Sequence, residues 1–170
     1  RLLRLNRSFY DGFAGEFSES RRSLQPGIRR ALVALGPYKS LLDLGCGNGR
    51  VLEASLIPST RGRHLGVDYS TELLSLAAPL GDPRASFVSG DLGTANWSRE
   101  VDGRFDAVIC FSVLHHIPGP RRRLRLLRET YSLMRPGARC ALSVWRFRHV
   151  PRLLKKTVAW EAVGLSSDEV

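Results

Sequence analysis

The chain has 170 residues, with 26 lysines and arginines against 16 acids, a formal charge of +10, 43% apolar residues and 25% charged ones. That length suits one domain with a real core, and the composition is ordinary for a globular protein. No apolar run approaches the roughly 18 residues of a membrane span, and the start is too rich in arginine for a secretory leader.

Cys46, Cys110 and Cys140 are odd in number, widely spaced and without a Cys-x-x-Cys pair. Reduced thiols in a cytoplasmic protein are therefore expected, not a disulfide framework or a zinc site. Arginine dominates the charge, and a basic surface of this size favours an anionic partner, RNA above all. A GC-rich genome that encodes arginine in place of lysine would give the same count, so composition leaves both explanations open.

In chain order, residues 1–25 mix arginines with aromatics. Phe9 and Phe13, and Tyr10 with Phe13 and Phe17, fall at helical spacings, which predicts an amphipathic helix laid on the core. Ser18, Ser20, Arg21 and Arg22 read as a loop after it. Pro26 opens a second helix to about Leu35, with Ile28, Leu32 and Leu35 on one face and Gly36-Pro37 as its stop. Strands are then expected over 40–43, 64–68, 85–89, 105–111 and 138–144, with helices over 50–56, 71–80 and 121–134. The last of these places Leu124, Leu127, Tyr131 and Met134 on its buried stripe and Arg121, Arg122, Arg125 and Arg128 on the other face. Residues 152–163 look helical.

Strands alternating with helices imply right-handed crossovers and an α/β fold: a Rossmann-like doubly wound sheet, mostly parallel, with N-terminal helices. Three parts are expected: a helical cap over the active site (1–38), a ligand-binding core (39–150) and a C-terminal helical segment (151–170). The fifth strand would be an uncovered apolar edge and the chain does not begin with methionine, so a piece of a longer protein is expected, with C-terminal strands of the sheet missing.

Residues 41–49, Leu-Leu-Asp-Leu-Gly-Cys-Gly-Asn-Gly, end an apolar strand in an acid and open into Gly45, Gly47 and Gly49. Glycine there permits positive φ and close approach of a ligand to the backbone, and the loop's free N–H groups with the next helix N-terminus face whatever binds. A dinucleotide fingerprint needs a sixth-position glycine, where Arg50 stands, and the Gly-Lys-Ser/Thr of a phosphate loop is missing. An ordinary glycine-rich turn is the plain alternative.

Asp68 ends the second strand in Gly66-Val67-Asp68-Tyr69-Ser70, at the distance where an acid meets ribose hydroxyls. The other reading is a helix N-cap, for which Ser70 or Thr71 is better placed. Gly90-Asp91-Leu92 follows the third strand, with Asp91 either a turn residue or a ligand. The fourth strand runs out into Cys110-Phe111-Ser112-Val113-Leu114-His115-His116. Adjacent histidines cannot point the same way on a regular backbone, so one packs or anchors the loop and the other is left to face substrate. A structural histidine is the default for each, and no Cys, Asp or Glu cluster at ligand spacing suggests a metal.

An acid two residues before three alternating glycines resembles the first motif of class I S-adenosylmethionine (SAM) methyltransferases. That cofactor carries no phosphate to cradle but has an ammonium group, for Asp43 or the loop carbonyls to receive. The resemblance implies SAM as cofactor and S-adenosylhomocysteine as product. The loop residues Asp43, Gly45, Cys46, Gly47, Asn48 and Gly49 would hold it. Asp68, Tyr69 and Ser70 would meet the ribose, Gly90, Asp91 and Leu92 the adenine, and Phe111 and Ser112 the methionine portion.

A closer likeness is to the tRNA wobble-uridine carboxymethyl methyltransferases. It is carried by the segment from Arg7-Ser-Phe-Tyr to Arg21, by Leu41 to Arg50, by Phe105 to Ile117 and by Leu142-Ser-Val-Trp145; where that family often has Pro-Trp-Pro, this chain has Leu24-Gln25-Pro26. Those enzymes esterify a carboxymethyl group on the wobble uridine and, in eukaryotes, use a small zinc-bearing activator subunit. The implied partners are therefore tRNA and such a subunit, with no membrane. Methylating an ionised carboxylate needs placement more than a base. Arg21 is the candidate grip on that carboxylate, His115 or His116 assists, and Tyr10 closes over the methyl-donor end. A methyltransferase acting on a small-molecule or lipid-derived acceptor, and a non-catalytic SAM- or RNA-binding protein, are the alternatives.

Overall fold

A computed structural model describes residues 2–8, 12, 23–53, 62–78, 82–146, 149–155 and 157–165. Residues 2–8 are helical and form α1. Helix α2 (Pro26–Leu35) starts on a proline, whose fixed φ suits a first turn, and stops at Gly36 with φ of 70°. There follow β1 (Ser40–Leu44), α3 (Arg50–Glu53), β2 (Arg63–Asp68), α4 (Thr71–Ala77), β3 (Ala85–Ser89), β4 (Phe105–Phe111), α5 (Pro120–Ser132), β5 (Met134–Ser143) and α6 (Pro151–Leu154). Phe9, Tyr10, Phe13, Phe17, Ser18, Ser20, Arg21 and Arg22 lie outside the described residues, as does the end of the helix expected over 50–56.

The sheet has five strands in the order β3-β2-β1-β4-β5, and every pairing is parallel. The chain steps outward from β1 to β3, then returns to place β4 on the other side of β1. Their connections leave in opposite directions and open a crevice at the carboxyl ends of these two strands. β1 is buried along its whole length, as a central parallel strand must be when both sheet faces are covered. Its pleat divides the core. Leu42 and Leu44 join Val67, Phe105, Val108 and Leu126 on one face, whereas Leu41 joins Ile28, Leu32, Leu35 and Ile109 on the other, under α2.

Three expectations need correction. Residues 152–163 are not one helix: α6 ends at Leu154, residues 157–159 carry no helix, and a short three-ten turn, Trp160–Val163, follows. On α5 the buried residues are Leu126 and Thr130, while Leu124, Leu127 and Tyr131 are 48%, 39% and 78% exposed. Two apolar stripes lie one residue apart on this helix, a rotation of about 100°, and the docked face is the one anchored by Leu126. The boundary that follows also moves. The helix ends at Ser132, and β5 begins at Met134 rather than 138. Phe105 pairs with Met134 but Ala107 with Arg139, so the strand absorbs Arg135-Pro136-Gly137 in an irregularity. Proline without an N–H and Gly137 at φ of 78° are suited to such a bulge. No helix among the described residues is long and apolar enough to cross a membrane.

Candidate cofactor site

The carboxyl ends of β1, β2 and β4 border a pocket, with Leu3, Asn6 and Arg7 of α1 forming part of its wall. From β1 the backbone turns through Gly45, Gly47 and Gly49 at φ of 73°, 54° and 73°. The Gly45 and Cys46 N–H groups both donate to Val67 O, at 2.7 and 3.1 Å, drawing the loop across the end of β2. A Cβ on Gly45 would stand 2.1 Å from Val113 Cγ2. Both the backbone angle and the contact therefore demand glycine at this position.

Asp68 fastens this loop. Its Oδ2 accepts the Gly47 N–H at 2.9 Å and its Oδ1 the Ser70 N–H at 3.0 Å. Each carboxylate oxygen has a second lone pair, and Asp68 lines the pocket. Ser70 is fully buried and its Oγ caps α4 by accepting the Leu73 N–H. It supports the site from behind and does not line it.

Asp43 lines the pocket while only 2% exposed, and its Oδ2 has no hydrogen-bond partner among the described residues. His64 Nε2 stands 3.9 Å away, beyond hydrogen-bond reach, and burial lowers the His64 pKa to about 4, so this ring is neutral near pH 7. Burial first, and the charge on Asp68 second, push the Asp43 carboxyl up to about 7, against the opposing pull of Arg50. Asp43 is thus a buried acid whose Oδ2 is unpartnered among the described residues and which lies beside a second carboxylate.

Asp91 accepts the Gly93 N–H at 2.9 Å on Oδ1 and the Arg7 guanidinium at 2.8 Å on Oδ2. Arg7 also lies over the Tyr69 ring, 5.7 Å from its centre. The Tyr69 hydroxyl donates to Asn6 O at 3.2 Å, and Asn6 Nδ2 donates to His116 O at 2.6 Å. Through these bonds α1 is tied to the segments that follow β2, β3 and β4.

Beyond β4, Ser112 takes φ of 60°, a left-handed value unusual for a residue other than glycine. Its N–H donates to Ser143 O at 3.2 Å and to Ser143 Oγ at 3.1 Å, which fixes the turn against the end of β5. The chain then swings into a three-ten turn, Leu114–His116. His115 and His116 have ring centres 4.3 Å apart, and the Trp145 ring lies 4.8 Å from the first and 6.0 Å from the second.

Of the residues named from sequence, Asp43, Gly45, Cys46, Gly47, Asn48, Asp68, Tyr69, Asp91, Leu92, Phe111, Ser112 and His116 share this lining. Gly49, Ser70, Gly90 and His115 are not part of it. Arg21 and Tyr10 lie outside the described residues. Asn6, Arg7, Arg50 and Val113 line the pocket without having been singled out for it. Arg7 and Arg50 do belong to segments that carried the family resemblance, which was the available signal. Among the described residues no group of His, Cys, Asp and Glu could hold a metal ion.

A family model described as a methyltransferase domain matches residues 41–137. The chain belongs to this family. Its matched span runs from β1 into β5 and so contains the glycine loop, Asp68, Asp91 and both histidines. SAM is the cofactor of such a methyltransferase domain, and the pocket, with the carboxylates of Asp43 and Asp68 in its lining, fits it.

The domain is 29% identical over 147 residues to the probable tRNA methyltransferase 9B of Bos taurus, covering 86% of this chain and 30% of that protein. It is 30% identical over 136 residues to the tRNA (carboxymethyluridine(34)-5-O)-methyltransferase of Arabidopsis thaliana, covering 80% of this chain and 31% of that protein. The chain thus spans under a third of the length of these relatives. Among solved structures, a chain from the complex of the Haloferax volcanii Trm112 methyltransferase activator with a methyltransferase superposes with a TM-score of 0.65. The match is 22% identical and covers 86% of this chain and 66% of that one, a likeness of fold.

Proposed function

We propose that this domain transfers a methyl group from SAM to a carboxylate on a modified tRNA uridine, of the wobble carboxymethyl type. The observation that carries the cofactor half is Asp43, a buried acid in the pocket lining with an unpartnered oxygen, at the head of the glycine loop and beside Asp68. The acceptor half is supported by the names of the relatives at about 30% identity and by a formal charge of +10.

Bound SAM supplies an electrophilic methyl group on a sulfonium. Asp43 receives the ammonium group, Asp68 the ribose hydroxyls, and Asp91 with Leu92 the adenine. Phe111 and Ser112 border the methionine portion. The acceptor oxygen is already ionised, so the protein's task is to hold it in line and exclude competing geometry. Arg21 grips the acceptor carboxylate, His116 faces it with His115 behind, and Tyr10 closes over the donor end. Exposed arginines of α5, Arg121, Arg122 and Arg128, meet phosphates. A small activator subunit is the expected protein partner, in line with the archaeal complex, and the expected compartment is the cytoplasm.

Calorimetry tests both carboxylates directly. Asp68→Ala and Asp43→Asn are each expected to weaken SAM binding about tenfold or more, the scale of losing a hydrogen bond to a charged group. Unchanged affinity in either variant would contradict the role given to that carboxylate.

A further inference from the structure

Trp145 meets the pocket lining through the ring of His116. It follows β5 by two residues, and the end of that strand is bonded to the Ser112 turn through the Ser112 N–H and Ser143 O. Trp97 is buried in the core at 3% exposure, whereas Trp145 is 44% exposed. Trp145 is nevertheless held in place: its ring lies 4.8 Å from His115 at 33°, a tilted stack, and 6.0 Å from His116 edge-on. His116 in turn lines the pocket beside Phe111 and Ser112. The three rings form an aromatic cluster that joins the end of β5 to the pocket lining at His116, with the Trp145 side of it 44% exposed.

We propose that Trp145, backed by His115 and touching His116, is a stacking platform for the planar base of the acceptor nucleoside. The inference rests on the reading of the acceptor as a nucleoside in RNA, and it adds the surface that holds the base. Single-stranded nucleic acid is held by aromatic faces on which bases stack, with cations taking the backbone. A wobble base is unpaired, so its faces are available to such a surface. A flat platform also leaves the base edge open, and a substituent on that edge can point past His116 toward the donor end. The aromatic stack thus fixes the plane of the acceptor, while the grip on the carboxylate fixes its direction.

The test reads binding with and without turnover. In methyl transfer to tRNA, Trp145→Ala should raise KM for tRNA by roughly 5- to 150-fold, the loss of one base stack. Trp145→Phe should recover most of that loss, and calorimetric affinity for SAM should stay unchanged in both variants. Without turnover, the emission difference between the wild-type protein and Trp145→Phe isolates the Trp145 signal. It should be quenched saturably by oligouridylate and not by polyphosphate, which has the charge without the bases. Wild-type methylation of tRNA together with an unaltered KM in Trp145→Ala would overturn the platform and leave the proposed function standing. Equal quenching by polyphosphate would also overturn it. If wild type methylates no RNA, the reading of the acceptor fails by itself, and the quenching still decides whether Trp145 holds a base.

Discussion

Asp43 and His64 sit on neighbouring strands with Oδ2 and Nε2 3.9 Å apart, and their titrations oppose one another. His64 has a folded pKa of about 4 against an ordinary 6.5. Its contribution to stability is complete above pH 6.5 and is lost as pH falls toward 4. Asp43 has a folded pKa of about 7 against an ordinary 3.8. The fold holds a proton that the unfolded chain has released, so this contribution is complete below 3.8 and is lost as pH rises through 7. Between pH 4 and 6.5 the two slopes largely cancel. Urea denaturation across that window separates them. His64→Phe should leave stability falling with rising pH, and Asp43→Asn should leave it rising, each by at most about 1.4 kcal/mol per pH unit. The same sign of slope in both variants would contradict this assignment. The sequence marked Asp43 as a ligand because of the glycines after it. It carried no mark for His64, whose relation to Asp43 exists only once β1 and β2 pair in register.

Elements were legible to the extent that their patterns were unambiguous. Apolar runs bounded by glycine, proline and acids located β1 through β4, because a parallel strand covered on both faces needs no alternation to be recognised. Helix α2 was legible from Pro26, Gly36 and a single apolar stripe. Helix α5 was not, since Leu124, Leu127 and Tyr131 offer one stripe and Leu126, Thr130 and Leu133 another. Only packing against the sheet decides between them. Substitution tests that decision: Leu126→Ala is expected to cost about 2–5 kcal/mol of unfolding free energy, and Leu124→Ser to stay within roughly 0.5 kcal/mol. The reverse order in urea titrations would contradict the docked face. Ser112 shows another limit. Its left-handed φ, which turns the chain from β4 toward the histidines, has no signature in a serine flanked by phenylalanine and valine.

Across the whole molecule, the strand order β3-β2-β1-β4-β5 puts the switch in direction between β1 and β4. The glycine loop and the Ser112 turn therefore face each other across one crevice. Residues 25 to 70 positions apart in sequence meet there: Asp43 with Asp68, Gly45 with Val113. That much of the site followed from motifs at strand ends. A helical cap over the site was expected from residues 1–38, but Asn6 and Arg7 were not marked within it, because they act through tertiary bonds to His116 and Asp91. Trp145 lay in a recognisable segment without a role until its ring was placed against two histidines. Family membership and the pocket give a SAM-dependent methyltransferase, and a methyl ester on tRNA is the product proposed for it. The most direct measurement is a mass-spectrometric nucleoside digest of tRNA carrying unesterified carboxymethyluridine, after incubation with the protein, its candidate activator and SAM. We expect the methyl ester of carboxymethyluridine to appear with loss of the free acid. Unchanged carboxymethyluridine, with the methyl group recovered on a small-molecule acceptor, would contradict the assignment.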